Sequence, residues 1–408
     1  MKILHTSDWH LGQNFFTKSR LAEHEQFIQW LLGTVESEQV DCVIIAGDVF
    51  DTGTPPSYAR ELYNRFVVDM HRLGCQLIVL GGNHDSVAML NESKQLLKQL
   101  HTQVIASVGT EISEQILEIT KSSGDVGAIV CAVPFIRPRD VVKSISGESG
   151  SEKQKALGEA IKAHYSALYQ NALQLRSSKE LDVPILATGH LTALGVTTSE
   201  SVRDIYIGTL DGFAADGFPP ADYIALGHIH RPQKVAKSDH IRYSGSPIYL
   251  SFDELKSQKQ VVLVEFASSH LVGIEPVAIP SFQPMFSLKG DLASLQQQLD
   301  SISVEEGASV WVSIEVEVQD YLTDLQQAVQ KMIGDREIEV LQLRRSRAHR
   351  ERTLNQEQAE TLSELSPIEV FSKRLAVEVF DSEEDKARQQ RITTRFKQIV
   401  EDVEGDRS

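Results

Sequence analysis

Short apolar runs that stop abruptly at polar residues constrain the fold of this chain more than any other feature. The clearest instance is residues 41–51, DCVIIAGDVFD, where Val43-Ile44-Ile45-Ala46 gives way to Gly47-Asp48. A β-branched run of that length, closed by glycine, suits a buried parallel strand. A carboxylate just past the carboxyl end of such a strand lies where open α/β sheets place their ligands. A Gly-Asp pair on its own is more often a solvated turn, so the other strand ends have to decide.

Residues 2–6 predict a first strand and residues 76–80 a third. Helices are predicted over 20–39, with Phe27, Ile28, Leu31, Leu32 and Val35 at helical spacing, and over 58–70, with Leu62, Phe66 and Met70. This β-α-β-α-β order predicts a mostly parallel sheet with covered faces. Residues 128–133, 184–188, 223–226 and 261–266 are further strand candidates; 152–175 predicts a long helix, and 144–153 reads as a loop. Polar motifs follow these strands in order: Asp8-Trp9-His10, then Asp48 and Asp51 in GDVFD, Asn83-His84-Asp85, Gly189-His190 and Gly227-His228-Ile229-His230. Each is weak alone, since single histidines and turn asparagines are common. Together they bring carboxylates, imidazoles and a carboxamide to one edge of one sheet.

The residue types point to a metal pair. Imidazole, carboxylate and carboxamide together suit Mn²⁺, Fe²⁺ or Zn²⁺ better than Mg²⁺, which favours oxygen and water. No cysteine joins the set, which disfavours a structural zinc site. Asp8, His10, Asp48, Asn83, His190, His228 and His230 are too many donors for one ion but suit two. Two ions about 3.5–4 Å apart can clamp both oxygens of an in-line displacement at phosphorus. Such spacing needs a bridging anion, and Asp48 is the central carboxylate.

Near residue 275 the pattern changes. Pro276, Pro280 and Pro284 mark a linker. A compact α+β pattern follows, with helices over 291–299 and 322–333 and strands over 309–318 and 337–343. Next comes a basic cluster, Arg344, Arg345, Arg347, Arg350 and Arg352. Ser366-Pro367-Ile368-Glu369 is a capping box with proline at the first helical position. Ile368, Phe371, Leu375 and Val379 form one apolar stripe, and Ile392, Phe396, Ile399 and Val403 another. Such helices either dock on their own protein or offer a face to a partner.

Charge narrows the functional classes. With 40 basic and 57 acidic residues the net charge is −17, which speaks against a whole-protein electrostatic grip on nucleic acid. Contact with DNA then needs local basic patches, metal ions or a partner. Cys42, Cys75 and Cys131 lie in or beside apolar runs without metal-binding spacing and are expected to be small core residues of a reducing compartment. The start MKILHTSDWH turns polar too early for a signal peptide, and no apolar run is long enough to span a membrane. No G-x-x-x-x-G-K-[ST] loop is present, so nucleotide binding of that kind is not expected.

These motifs, in this order, resemble the calcineurin-like metallophosphoesterase superfamily. The runs MKILHTSDWHLGQNF, AGDVFDTGTPPSYAR, GGNHDSVAMLNES, VRDIYIGTLDGF and ALGHIHRPQ resemble more closely the bacterial SbcD family of nuclease subunits, over nearly the whole chain. The resemblance implies an α/β fold: a four-layer sandwich of two mixed sheets flanked by helices, at 1–274. It also implies a small α+β capping domain at 275–345, then a basic linker and C-terminal helices at 346–408. It implies two Mn²⁺ ions, with Mg²⁺ or other divalent ions as substitutes. Asp8, His10, Asp48 and His230 would hold one; Asp48, Asn83, His190 and His228 the other. Water would attack the phosphodiester, and His84 would stabilise the developing charge and help the leaving oxygen. Asp51 either orients His84 or simply forms a turn.

The implied activity is 3′–5′ exonuclease on double-stranded DNA and endonuclease on single strands and hairpins, in recombination, replication and break repair. The implied partner is an SbcC-type coiled-coil ATPase docked by the C-terminal helices. Homodimerisation near residues 58–70 and 91–100 would build a two-plus-two heterotetramer, cytoplasmic and nucleoid-associated when on DNA. Arg137, Arg139, Arg203 and the cluster at 344–352 either reach DNA phosphates or stay solvated. A phosphatase or small-molecule phosphodiesterase on the same scaffold is the alternative. GNHD rather than GNHE, and Asp51 where purple acid phosphatases carry tyrosine, argue against it. A non-catalytic scaffold has no use for the full ligand set with His84.

Overall fold

The computed structural model describes residues 1–109, 111–121, 123–142, 149–202, 212–303, 309–317 and 322–346, with Ile392 and Phe396. The chain first forms β1 (Lys2–Thr6), a small hairpin of β2 (Asn14–Phe15) and β3 (Lys18–Ser19), α1 (Leu21–Glu38), β4 (Cys42–Ile45), α2 (Ser57–Arg72) and β5 (Gln76–Leu80). Then come α3 (Val87–Glu92), α4 (Lys94–Gln99), β6 (Thr102–Ile105), β7 (Ile116–Thr120), β8 (Val126–Cys131), α5 (Pro138–Val141) and α6 (Gly150–Ser178). The strands β9 (Ile185–His190), β10 (Tyr223–Gly227), β11 (Gln233–Lys234), β12 (Ile241–Tyr243), β13 (Gln260–Ala267) and β14 (His270–Ala278) follow.

Two six-stranded sheets result, in the orders β14-β13-β1-β4-β5-β6 and β11-β12-β10-β9-β8-β7. In the first, β1, β4, β5 and β6 run parallel while β13 is antiparallel to β1. In the second, β8, β9, β10 and β12 are parallel, with β7 and β11 as antiparallel edges. The sheets are thus mixed, as the family resemblance implies, and within each the parallel pairings predominate.

Burial on both faces explains the continuous apolar runs. In β1 and β4, Leu4, Val43 and Ile45 face α1 and α2, meeting Phe27, Leu31, Leu62 and Phe66. Their neighbours Ile3, Cys42 and Ile44 face the other way and pack on Val130, Leu186 and Tyr223 of the second sheet. The far side of that sheet, with Ile185 and Leu226, is covered by Leu157, Ile161, Tyr165 and Leu168 of α6. The layers are therefore helix, sheet, sheet, helix. All three cysteines are buried and free. The segment read as a loop over 144–153 already carries the start of α6, because Ser149 and Glu152 form a reciprocal capping box.

Residue 275, the expected boundary, falls within β14. β14 continues to Ala278, and Pro276 sits in register opposite Val262. An edge strand tolerates proline, because the missing N–H has no ladder bond to make. The α+β part then forms β15 (Met285–Gly290), α7 (Leu292–Asp300), β16 (Val310–Val316), α8 (Leu322–Ile333) and β17 (Ile338–Arg345). Its three parallel strands have their own core around Leu295, Val312, Ile314 and Val329. β15 was hidden in the sequence beside the prolines. Residues 1–345 form one compact unit. A seam of Phe15, Phe252, Met285 and Trp311 joins the α+β part to the sandwich. Arg20 lies over the Phe15 and Trp311 rings and pairs with Glu23. The expected C-terminal helices lie outside the described residues, save the two positions above. Among described residues no helix is long and apolar enough to cross a membrane.

One buried polar contact joins the sheets near the strand ends. His5 accepts a hydrogen bond at Nδ1 from the Tyr223 hydroxyl (2.9 Å) and donates from Nε2 to the Leu226 carbonyl (3.1 Å). Burial is the main force holding this imidazole neutral, lowering its pKa from 6.5 to about 3. A depressed histidine contributes stability that is present above 6.5 and is lost as pH falls towards 3, because the unfolded state takes up the proton first. Urea unfolding across that range should show stability falling with pH. His5→Gln should flatten the fall by up to about 1.4 kcal/mol per pH unit; an unchanged slope would rule His5 out as the source.

Candidate metal centre

The first strand delivers two ligand candidates by placing an anchor between them. Trp9 is fully buried, edge-on to Phe27 and Phe66, and donates to Thr6 Oγ1 at 2.9 Å. Asp8 and His10, on either side, adopt left-handed backbone with φ of 55° and 48°. Backbone bonds from Asp8 N to the Gly47 carbonyl (3.0 Å) and from His10 N to the Asp48 carbonyl (3.1 Å) lock this loop to the next. Asp48 (φ 51°) and His228 (φ 92°) share the strained conformation. Positive φ is unfavourable for residues with a Cβ and clusters at functional sites.

Asp48 is the junction. Its Oδ1 accepts from His84 N at 2.8 Å. Its Oδ2 lies 3.2 Å from His190 Nε2 and 3.7 Å from His10 Nε2. A Cβ on Gly82 would stand 2.1 Å from Asp48 Oδ1, and one on Gly47 2.2 Å from His190 Nδ1, so both approaches require glycine. His190 donates from Nδ1 to the Ala46 carbonyl (2.9 Å), which turns Nε2 inwards towards Asn83 Oδ1 at 2.9 Å. His228 Nδ1 approaches the same amide oxygen at 3.1 Å, while its backbone N–H donates to Asp8. His230 meets Asp8 and His10 on the other side.

Every donor read from the strand ends therefore converges. Asp8, His10 and His230 form one group with donor atoms within 4.8 Å of one another, and Asp48, His190 and His228 form another. Asn83 stands between His190 and His228. His84, only half-buried, lies edge-on to His10 with ring centres 4.6 Å apart. Asp51 reaches two rings: its carboxylate meets His10 Nδ1 at 3.1 Å, and its carbonyl accepts from His84 Nδ1 at 2.7 Å. Arg137 stacks over Phe135, whose ring neighbours His190. Arg139 is exposed beside Asp140 at 3.8 Å, and Arg344 beside Glu200 at 3.6 Å. Arg203, Arg347, Arg350 and Arg352 lie outside the described residues.

The electrostatics call for cations. Burial opposes charge on His190, but the Asp48 carboxylate outweighs it and raises the imidazole to about 9. For His10, burial is likewise overcome, by Asp51, Asp48 and Asp8. Asp48 is held well below the carboxylate range, burial being outweighed by His190. His228 is depressed by burial and by its charged neighbour His190. The buried Nε2 atoms of His10 and His228 have no hydrogen-bond partner. Divalent ions of the Mn²⁺, Fe²⁺ or Zn²⁺ type fit this anionic nest of nitrogen and oxygen donors.

Several supporting residues escaped the sequence reading. Asp85 is buried and accepts from the backbone of Val49 (3.2 Å), Phe50 (3.0 Å) and Gly82 (2.8 Å), clamping one motif to the other. Burial and the Asp48 charge raise it to about 6. Its place at the end of GNHD was the available signal. Ser201, Glu254 and Lys259 surround His230, and no motif marks them.

Residues 1–232 match the calcineurin-like phosphoesterase family, and residues 281–379 match the type 5 capsule protein repressor C-terminal domain. The chain is 52% identical over 407 residues to the SbcD component of the nuclease SbcCD of Escherichia coli (strain K12), covering 100% of this chain and 99% of that protein. Identity is 32% to the protein of the same name from Rhodobacter capsulatus, covering 71% of each chain. It is 30% to that of Bacillus subtilis (strain 168), covering 79% of this chain and 81% of that protein.

Asp85→Asn would turn an acceptor oxygen into a donor facing backbone N–H groups. It should cost about 1–3 kcal/mol of stability, measured by urea unfolding, and weaken divalent-metal binding in calorimetry. Native values of both would show that the clamp is dispensable.

Proposed function

The chain belongs to the calcineurin-like phosphoesterase family and, within it, to the SbcD-type nuclease subunits, and on that premise we propose that it is a Mn²⁺-dependent DNA nuclease working with a coiled-coil ATPase of the SbcC type. It would degrade double-stranded DNA from 3′ ends and cut single strands and hairpins, in cytoplasmic DNA recombination, replication and repair. The observation that carries the reading is the convergence of Asp8, His10, Asp48, Asn83, His190, His228 and His230 at one edge of two facing sheets.

In this reading Asp8, His10, Asp48 and His230 hold one ion and Asp48, Asn83, His190 and His228 the other. A bound pair supplies Lewis acidity at the phosphoryl oxygens and activates water at neutral pH. The chain's own residues do the rest. Nδ1 of His190 is committed to the Ala46 carbonyl, so this ring presents Nε2 inwards. A carbonyl oxygen only accepts, so His84 must carry a proton on Nδ1. Exchange with the leaving oxygen is thereby assigned to Nε2, the other ring nitrogen of a side-chain type that commonly serves in general acid–base catalysis. Asp51 steadies His84 through its carbonyl and His10 through its carboxylate.

DNA contact is assigned to Arg137, beside the site, and to Arg139, Arg203 and the cluster from Arg344. With a net charge of −17, bound cations and the ATPase supply much of the attraction. Residues 360–408 would dock the ATPase, and α2 with α3 and α4 would pair two copies into a two-plus-two assembly.

Purified with Mn²⁺, the chain should shorten linear duplex from its 3′ ends; activity confined to phosphomonoesters would sink the nuclease reading in favour of a phosphatase. His84→Gln should keep two bound Mn²⁺ by calorimetry while turnover drops roughly 10²–10⁴-fold; loss of an ion would move His84 into the ligand set. Removing residues 360–408 should leave Mn²⁺ binding intact and abolish co-purification with the ATPase. Retained co-purification would assign those helices elsewhere.

A further inference from the structure

We propose that Glu254 is a positioning residue for His230, holding the ring through Ser201 so that Nε2 faces the ion nearest Asp8 and His10. The inference rests on the metal reading above. Glu254 is fully buried, in a short helix at Phe252–Lys256 that contributes nothing to the ligand set. Its Oε1 accepts from Ser199 Oγ (2.8 Å), Ser251 Oγ (3.2 Å) and, by a short bond, Ser201 Oγ; it lies 3.4 Å from His230 Nδ1. Its Oε2 accepts from Leu250 N (3.0 Å) and from the buried Lys259 ammonium (2.6 Å).

Proton accounting then fixes the imidazole. The carboxylate, paired with Lys259, only accepts, so the single Ser201 hydroxyl proton points to Glu254. Ser201 Oγ, 2.6 Å from His230 Nδ1, must therefore accept from that nitrogen. Nδ1 carries the hydrogen and Nε2 the lone pair. Lys259 adds a second grip, donating to the His230 carbonyl at 3.0 Å and to Ser246 Oγ at 2.7 Å. Ring and backbone of one ligand are thus held by one buried ion pair. Such a pair is weak evidence of stabilisation in itself. Partners that orient a metal-binding histidine, by contrast, commonly change affinity by 10–100-fold.

The test is Mn²⁺ calorimetry on the full chain, with electron paramagnetic resonance of the loaded protein. Glu254→Gln combined with Lys259→Met removes both charges together. It should lower the affinity for one of two ions by roughly 10–100-fold, in the same direction as expected for His230→Ala. At two equivalents of Mn²⁺ the exchange-coupled signal should give way to the hyperfine sextet of an uncoupled ion. Ser201→Ala, which leaves the ion pair in place, should shift both readouts in the same direction, and it decides the matter should the double variant fail to fold. Wild-type affinities and a coupled signal in folded Ser201→Ala would overturn the positioning role. A wild-type chain that binds no Mn²⁺ would instead overturn the metal reading beneath it.

Discussion

The carboxylate of Asp48 is the interaction on which the site depends. One oxygen takes the backbone N–H of His84, and the other lies between His10 and His190. Those contacts come from the ends of β1, β5 and β9, so a single side chain records the mutual placement of both sheets. Bringing anions together in a buried place is unfavourable unless cations compensate. Raised protonation of His10 and His190 is the compensation the chain itself provides.

Around that centre the backbone is held in conformations that cost energy. Asp8, His10, Asp48 and His228 all have positive φ, at about 1–2 kcal/mol each. What sustains them is a rigid frame. Trp9 locks the first loop into the core, Asp85 clamps the second to the third, and Asp8 accepts from the backbone of His228 across the sheet boundary. Burial on both faces of the central strands, with His5 tying Tyr223 and Leu226, leaves these loops little room to relax.

The α+β part meets the same frame. Trp311 stacks on Phe15 with ring planes 6° apart, and Phe15 meets Phe252 edge-on. Phe252 begins the short helix that also carries Glu254. Module packing and His230 orientation thus share one helical turn, which gives the two parts of the 1–345 unit a common mechanical base.

The sequence by itself determined the strands, the covering helices and the ligand candidates. Hydrophobic periodicity and abrupt polar stops are local properties, visible wherever a strand is buried on both faces and ends at a site. Only the tertiary structure decided how those ends are shared. The double use of Asp51, the clamp at Asp85 and the Ser201–Glu254–Lys259 support of His230 join residues far apart in the chain. No periodicity marks them, because hydrogen-bond partners are chosen by packing rather than by sequence spacing. The same holds for β14, where Pro276 reads as a break but the sheet edge accommodates it. Edge position is set by which strand pairs with which.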